Sequence, residues 1–162
     1  MFMNRVARFM GLLAAIALLS PVTAVADSGF GFHGWGIRGG LSVDPDQFFV
    51  GGHIDLGEFA ENIQFIPNVT AGFGDHLTII SINPDVSYSF PVEDIGALYV
   101  GGLFAFQWID YESHYLDTDT EVGLHAIAGL ELEAAPVFFE LNIGIDDTPD
   151  LKVAVGYAMP WE

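Results

Sequence analysis

From residue 27 onward the chain alternates apolar and polar side chains with a period of two, in stretches separated by turn residues. This period is typical of a β-strand with one buried face, because successive side chains of a strand point to opposite faces. Eight such stretches predict strands at 35–43, 48–56, 63–73, 77–90, 97–108, 121–133, 137–145 and 151–161. No sustained helical period occurs there, so the pattern predicts an all-β domain.

Two prolines interrupt this pattern. Pro67 falls inside the third predicted strand and Pro84 inside the fourth. Because proline cannot donate a hydrogen bond to a neighbouring strand, we expect a bulge or a local break at each position. The residues 57–62 are predicted to connect the second and third strands, and 110–120 to form the longest loop.

The two faces of the predicted strands differ in size as well as in polarity. In the first strand, Trp35, Ile37 and Leu41 share one face, whereas the other carries Arg38 between glycines. A polar face of mostly small side chains suits a narrow lumen better than a solvated exterior. Strands of this length can cross a bilayer at the usual tilt, and lipid requires that their sheet be closed. The predicted fold is therefore an eight-stranded antiparallel up-and-down transmembrane β-barrel.

Aromatic positions agree with this prediction. Several aromatic residues fall at or near predicted strand ends, where the girdles of membrane barrels lie. They are Trp35, Phe48, Phe90, Trp108, Tyr111, Tyr157 and Trp161.

The first 26 residues have the pattern of a secretory signal peptide. Arg5 and Arg8 precede an apolar run over 9–19, which is too short to span a membrane as a helix. Small residues at Ala24 and Ala26 predict cleavage before Asp27. We therefore expect a signal peptide over 1–26 and one barrel domain over 27–162; the alternative is an uncleaved N-terminal anchor.

Charge narrows the set of partners. Cleavage would leave two cations, Arg38 and Lys152, against all 22 acidic residues. Such a chain repels nucleic-acid phosphates and attracts cations, which argues against nucleic acid as a partner. Disorder is disfavoured by a composition that is 51% hydrophobic and 14% aromatic, and the chain has no cysteine for disulfides.

The strand pattern, the segment GLHAIAGLELEAAPVFFELNIGI over 123–145 and the end KVAVGYAMPW over 152–161 resemble the small outer-membrane β-barrel proteins, the OmpA- and OmpX-like group. The resemblance covers the chain after residue 26. It implies a porin-like architecture, a Gram-negative outer membrane, and outer-membrane lipid as a partner. It also implies recognition by the barrel-assembly machinery, which reads an aromatic residue near the C-terminus; Trp161 has the matching register and Glu162 follows it.

Both remaining cations fall on the predicted lumen face, on the first and last strands. A charge in a narrow lumen is costly unless it is paired. The acids predicted to join Arg38 and Lys152 in a lumen charge network are Asp55, Glu131, Glu133 and Glu140. We expect Arg38 at mid-height, paired with Glu140 or Glu131, and Lys152 near the outer rim, close to Asp146 or Asp150. Such pairs would plug the lumen, whereas a gated path would make the protein a small cation or solute channel.

Two acidic loops are candidates for binding divalent cations. They contain Asp117, Asp119 and Glu121, and Asp146, Asp147 and Asp150. Hard cations bind clustered oxygens, but neither loop has the twelve-residue ligand spacing of a calcium loop. Solvated acidic loops are therefore favoured, and we expect neither a cofactor nor a dedicated metal site.

The sequence predicts a structural or surface-interaction role at the cell outer membrane, and no enzymatic activity. Ser113 next to His114, and His53 near Asp55, are the nearest approach to a catalytic arrangement, and no nucleophile, base and orienting group converge. Two alternatives remain open: a lipid-modifying outer-membrane enzyme, and a soluble periplasmic barrel that binds an apolar ligand.

Overall fold

The computed structural model describes residues 29–111, 119–146 and 151–161. Its strands are Gly34–Val43 (β1), Gln47–Asp55 (β2), Glu58–Ala60 (β3), Ile63–Phe65 (β4), Asn68–Gly74 (β5), Leu77–Asn83 (β6), Asp85–Val92 (β7), Gly96–Tyr111 (β8), Asp119–Leu132 (β9), Val137–Asp146 (β10) and Leu151–Pro160 (β11). Within these ranges, no helix has the length and hydropathy that crossing a membrane would need. The predicted signal peptide lies outside the described residues.

The eleven segments form eight strands of one closed antiparallel barrel. Three strands are interrupted, so that β2 continues as β3, β4 as β5, and β6 as β7. Each strand pairs with the next along the chain, and β1 pairs with β11 to close the barrel. The predicted all-β, eight-stranded antiparallel barrel is confirmed.

The interruptions lie next to one another on three neighbouring strands. Those at Pro67 and Pro84 were predicted, whereas the one at Leu56 and Gly57 was not, and β3 lies where a connection was expected. Backbone hydrogen bonds still cross this region: Leu56 N donates to Phe65 O at 3.1 Å, and Ile66 N donates to Asp85 O at 3.0 Å. The barrel wall therefore stays closed where its strands are irregular.

The two ends of the barrel differ. At one end, here called the terminal end, lie Gly34, Pro160 and the short turns at 61–62, 93–95 and 133–136. At the opposite loop end lie the turns at 44–46 and 75–76, together with Tyr111 at the end of β8 and Leu151 at the start of β11. The described two- and three-residue hairpin turns each contain a residue with positive φ, which suits their tight geometry. These residues are Asp44, Asn62, His76 and Asp94.

The polarity of the barrel is the reverse of a water-soluble one. Among the described residues, more of the buried side chains are polar or charged than apolar; Ser81 and Gln107 are each 1% exposed. The alternate positions place large apolar side chains outside, including Leu41 at 65% and Val153 at 53% exposed. The predicted alternation is thus present, with its apolar face outward.

Aromatic side chains lie on the outer surface near both ends. Trp35, Phe90 and Tyr157 are exposed toward the terminal end, and Phe48 and Trp108 toward the loop end. Aromatic rings pack against one another near each end: the centroids of Phe32 and Trp161 are 5.7 Å apart at the terminal end, and those of Phe48 and Phe73 are 5.3 Å apart at the loop end. Trp161 is also exposed, whereas Tyr111 is half-buried at the end of β8.

Candidate functional site in the barrel lumen

A buried ion pair crosses the middle of the lumen. Nη2 of Arg38 on β1 donates to Oε1 of Glu140 on β10, and both side chains are almost fully buried. The strand between them, β11, presents Gly156 beside Arg38 and Ala154 beside Glu140. Because these two residues are so small, the long side chains of the outer strands can meet above them.

Glu140 has three hydrogen-bond donors. Besides Arg38, Asn142 Nδ2 donates to Oε1 at 3.0 Å, and the Tyr99 hydroxyl donates to Oε2 at 2.8 Å. The guanidinium of Arg38 also lies 5.4 Å from the ring centroid of Phe138, within the range of a cation–π interaction. A buried carboxylate needs such partners to offset its desolvation, so these residues hold the ion pair in one geometry.

Glycines make room for the aromatic rings around this pair. Tyr99 lies over Gly129 of the neighbouring strand, and Phe138 lies over Gly156. A Cβ atom built on either glycine would overlap the ring of its partner. The ring of Phe138 in turn meets that of His53 edge-on, with centroids 5.3 Å apart. Small residues on the wall therefore position the rings that surround Arg38 and Glu140.

Gly129→Ala is expected to lower the free energy of unfolding by about 1–3 kcal/mol, because the added methyl group overpacks the lumen against Tyr99. The matched control is Gly102→Ala on β8, where the nearest neighbour of a new Cβ is the His125 carbonyl oxygen at 3.4 Å. Urea titration of refolded protein, followed by tryptophan fluorescence, measures both. Equal loss in the two variants would contradict this role of Gly129.

The lumen widens on the terminal side of the ion pair. A cavity of about 240 Å³ lies there, and its lining includes Asp55, Asp85 and Glu131 as well as Arg38 and Glu140. Asp85 is 4% exposed, and its Oδ1 has no hydrogen-bond partner among the described residues. The cavity is therefore an acidic space in which Glu140 is paired and Asp85 is not.

A much smaller space lies on the loop side of the ion pair. The space there is about 20 Å³, lined by residues that include Arg38, His125, Asn142 and Lys152. A space of that size holds about one water molecule. Nζ of Lys152 lies 5.9 Å from the ring centroid of Phe49. Since Arg38 lines both spaces, the ion pair separates the wide part of the lumen from the narrow part.

The structure distributes the six residues of the predicted charge network unevenly. Arg38 and Glu140 form the ion pair; Asp55 and Glu131 line the wide cavity, and Lys152 lines the narrow space. The partners predicted for Lys152, namely the Asp146 side chain and Asp150, lie outside the described residues.

The prediction that Glu133 belongs to the lumen charge network is wrong. Strand β9 ends at Leu132, and Glu133 is exposed in the turn that follows, where its N–H donates to Ile95 O at 2.9 Å. The alternation placed this residue inside, but a side chain beyond the last paired residue no longer follows the alternation of the strand. Glu133 therefore does not belong to the lumen.

The two acidic loops can be followed only in part. Asp119 and Glu121 are exposed at the start of β9, whereas Asp117, Asp147, Asp150 and the side chain of Asp146 lie outside the described residues. In the part of the chain that is described, no three potential metal ligands of the His, Cys, Asp or Glu type come together.

The histidines considered for catalysis do not form a catalytic arrangement with described partners. Ser113 and His114 lie outside the described residues. Asp55 Oδ1 accepts from Gly57 N at 2.8 Å, whereas Nδ1 of the buried His53 has no hydrogen-bond partner among the described residues. No hydrogen bond therefore joins His53 to Asp55 in the described structure.

Three lumen residues were not predicted as part of the site: Asp85, Tyr99 and Asn142. Asp85 shares one face of the predicted strand 77–90 with serine and asparagine residues, so counting every acid on such a face would have found it. Tyr99 gave no such signal, because a large aromatic residue on the small face of a strand does not indicate what it contacts. Its hydrogen bond to Glu140 depends on the packing of strands far apart in sequence.

Comparison with protein-family models finds no matching family, and comparison with curated proteins finds no match either.

Proposed function

We propose that this chain is an outer-membrane β-barrel protein with a structural or surface-interaction role, whose lumen is closed by the Arg38–Glu140 ion pair. The observation that carries the proposal is the reversed polarity of the barrel, with apolar side chains outside and polar side chains inside. Soluble monomers seldom expose apolar patches of more than a few hundred Å². An apolar surface around a closed barrel suits a lipid environment.

The height of the apolar surface supports this proposal. Strand β1 has 10 residues, which at about 3.3 Å each and a tilt of about 40° cover roughly 25 Å, the height of the apolar band in such barrels. In β1, β2 and β11, which are described in full, the outward positions carry no charged side chain. The exposed aromatic residues near both ends fit the two interfaces of a bilayer.

The side chains inside the barrel favour a blocked lumen over an open channel. Arg38 and Glu140, with Tyr99 and Asn142, cross it at mid-height, and the space beyond them is about 20 Å³. A channel would need a continuous path past this point.

The partners follow from the proposed membrane location. We propose that they are outer-membrane lipid and the barrel-assembly machinery, and that the exposed loop end supplies any surface interaction.

Fractionation and gel mobility test the proposal on the full-length chain expressed in a Gram-negative host. We expect the protein in the outer-membrane fraction, from which only detergent should release it. Its intact mass should equal that of residues 27–162, as expected after cleavage before Asp27. Unheated samples should migrate differently from heated ones, because a closed barrel resists unfolding by detergent. Release without detergent would overturn the membrane assignment and favour a soluble periplasmic barrel.

A further inference from the structure

The wide cavity is lined by more carboxyl groups than cations. Its lining includes four carboxyl groups, those of Asp55, Asp85, Glu131 and Glu140, and one guanidinium, that of Arg38. Glu140 already binds that guanidinium directly. The other cation predicted for the lumen, Lys152, lines the narrow space on the opposite side of the ion pair. The other three carboxyl groups therefore have no cation of their own among the described residues that line the cavity.

Asp85 indicates where a ligand would bind. Its side chain lines the cavity and is almost completely buried, and its Oδ1 accepts no hydrogen bond from the described residues. A buried carboxylate is costly unless a donor or a cation offsets its desolvation. The nearby Glu140 cannot help, because its charge is also negative and its oxygens are already bonded. Asp85 thus lines the cavity with a carboxyl group whose buried Oδ1 has no donor among the described residues.

The shape and lining of the cavity favour an organic cation over a metal ion. Its volume is about 240 Å³, and apolar atoms of Ile66, Pro136 and Met159 line it together with the acids. No group of three potential metal ligands occurs among the described residues. A chain of methylene groups that ends in ammonium groups would match a cavity lined by both carboxyl groups and apolar residues.

We propose that this cavity binds a small aliphatic amine, with one ammonium group bound by the carboxyl group of Asp85 and a second near Glu131. The ligand enters from the terminal end, where Gly34, Pro136 and Pro160 surround the cavity. This site depends on the lumen alone, so it is independent of the proposed membrane location and goes beyond the proposed role.

Calorimetric titration of the refolded barrel, residues 27–162, with 1,4-diaminobutane tests the proposal. Ionic strength is held constant, because screening alters all charge interactions. We expect saturable binding of one diamine per barrel and no binding of the uncharged analogue 1,4-butanediol. Asp85→Asn should weaken binding about ten-fold, because it replaces a charge-assisted hydrogen bond by a neutral one. The matched control, Asp75→Asn in an exposed turn at the loop end, should leave it unchanged.

Gel mobility of unheated samples shows whether each variant has folded. If Asp85→Asn does not fold, Glu131→Gln at the half-buried edge of the cavity replaces it, and should weaken binding several-fold. The proposal is overturned if the wild-type protein shows no saturable binding, or if the folded cavity variant binds as tightly as the wild type. Mg²⁺ at the same concentration of positive charge should not displace the diamine. Displacement would also overturn the proposal, because it would indicate diffuse charge attraction or a metal site.

Discussion

Glu140→Gln is expected to lower the free energy of unfolding by about 3–5 kcal/mol, because removing one partner of a buried ion pair leaves an uncompensated charge. Arg38 would keep its contact with the Phe138 ring but lose the carboxylate that its guanidinium binds. Urea titration of the refolded barrel measures the change. The exposed Glu133 supplies the matched control: Glu133→Gln should change stability by less than about 0.5 kcal/mol.

The double variant Arg38→Met/Glu140→Gln separates loss of charge from loss of packing. It removes both charges and leaves side chains of similar length, so we expect it to recover most of the stability lost in Glu140→Gln. A double variant as unstable as the single one would show that the pair acts through its shape and hydrogen bonds, and would contradict the charge argument.

Conductance of the wild type and of Arg38→Ala in planar bilayers tests whether the ion pair blocks the lumen. We expect no conductance from the wild type. Steady wild-type conductance that increases in Arg38→Ala would favour the channel.

Val155→Arg is expected to destabilise the barrel in a lipid bilayer by about 2–4 kcal/mol, the cost of a cation near the membrane midplane. Val155 is 48% exposed on β11 and pairs with Gly39, next to the level of Arg38. Refolding into phospholipid vesicles, followed by gel mobility across a urea series, measures the loss. In a barrel surrounded by water the same substitution would be close to neutral, so its effect depends on the surrounding solvent.

Ile95→Arg is the matched control for this substitution. Ile95 is also an exposed aliphatic residue, at 49%, but it lies in the turn between β7 and β8, beyond the strands. A cation near the interface costs only about 0–1 kcal/mol, so this variant should insert almost as well as wild type. Equal effects of the two arginines would contradict a membrane-spanning belt.

The local pattern predicted most of the fold. Strand positions, inward and outward faces and the breaks at Pro67 and Pro84 followed from it, because side-chain alternation and the missing proline N–H act within a few residues. The break at Gly57, where the backbone has a φ of 71°, was not predicted. A glycine between Leu56 and Glu58 is compatible with a turn, a bulge or a strand, and only the pairing of β3 with β4 distinguishes them.

The candidate site was predictable in part for the same reason. Alternation placed Arg38 and Glu140 on inward faces, but it placed Glu133 there too, although β9 ends one residue earlier. It also gave no reason to choose Asp85 as the carboxylate without a partner. That property depends on which donors face it across the lumen, and those donors come from distant strands.

The amino-acid sequence by itself determined that this chain forms an all-β barrel with polar side chains inside and apolar side chains outside, because a two-residue period assigns each side chain to a face without reference to any other strand. The tertiary structure alone decided that Arg38 meets Glu140 above Gly156 and Ala154, that Tyr99 completes the pair, and that Asp85 faces a cavity. These contacts depend on the register of every strand around the closed barrel, and a register is a relation between segments that no single segment contains.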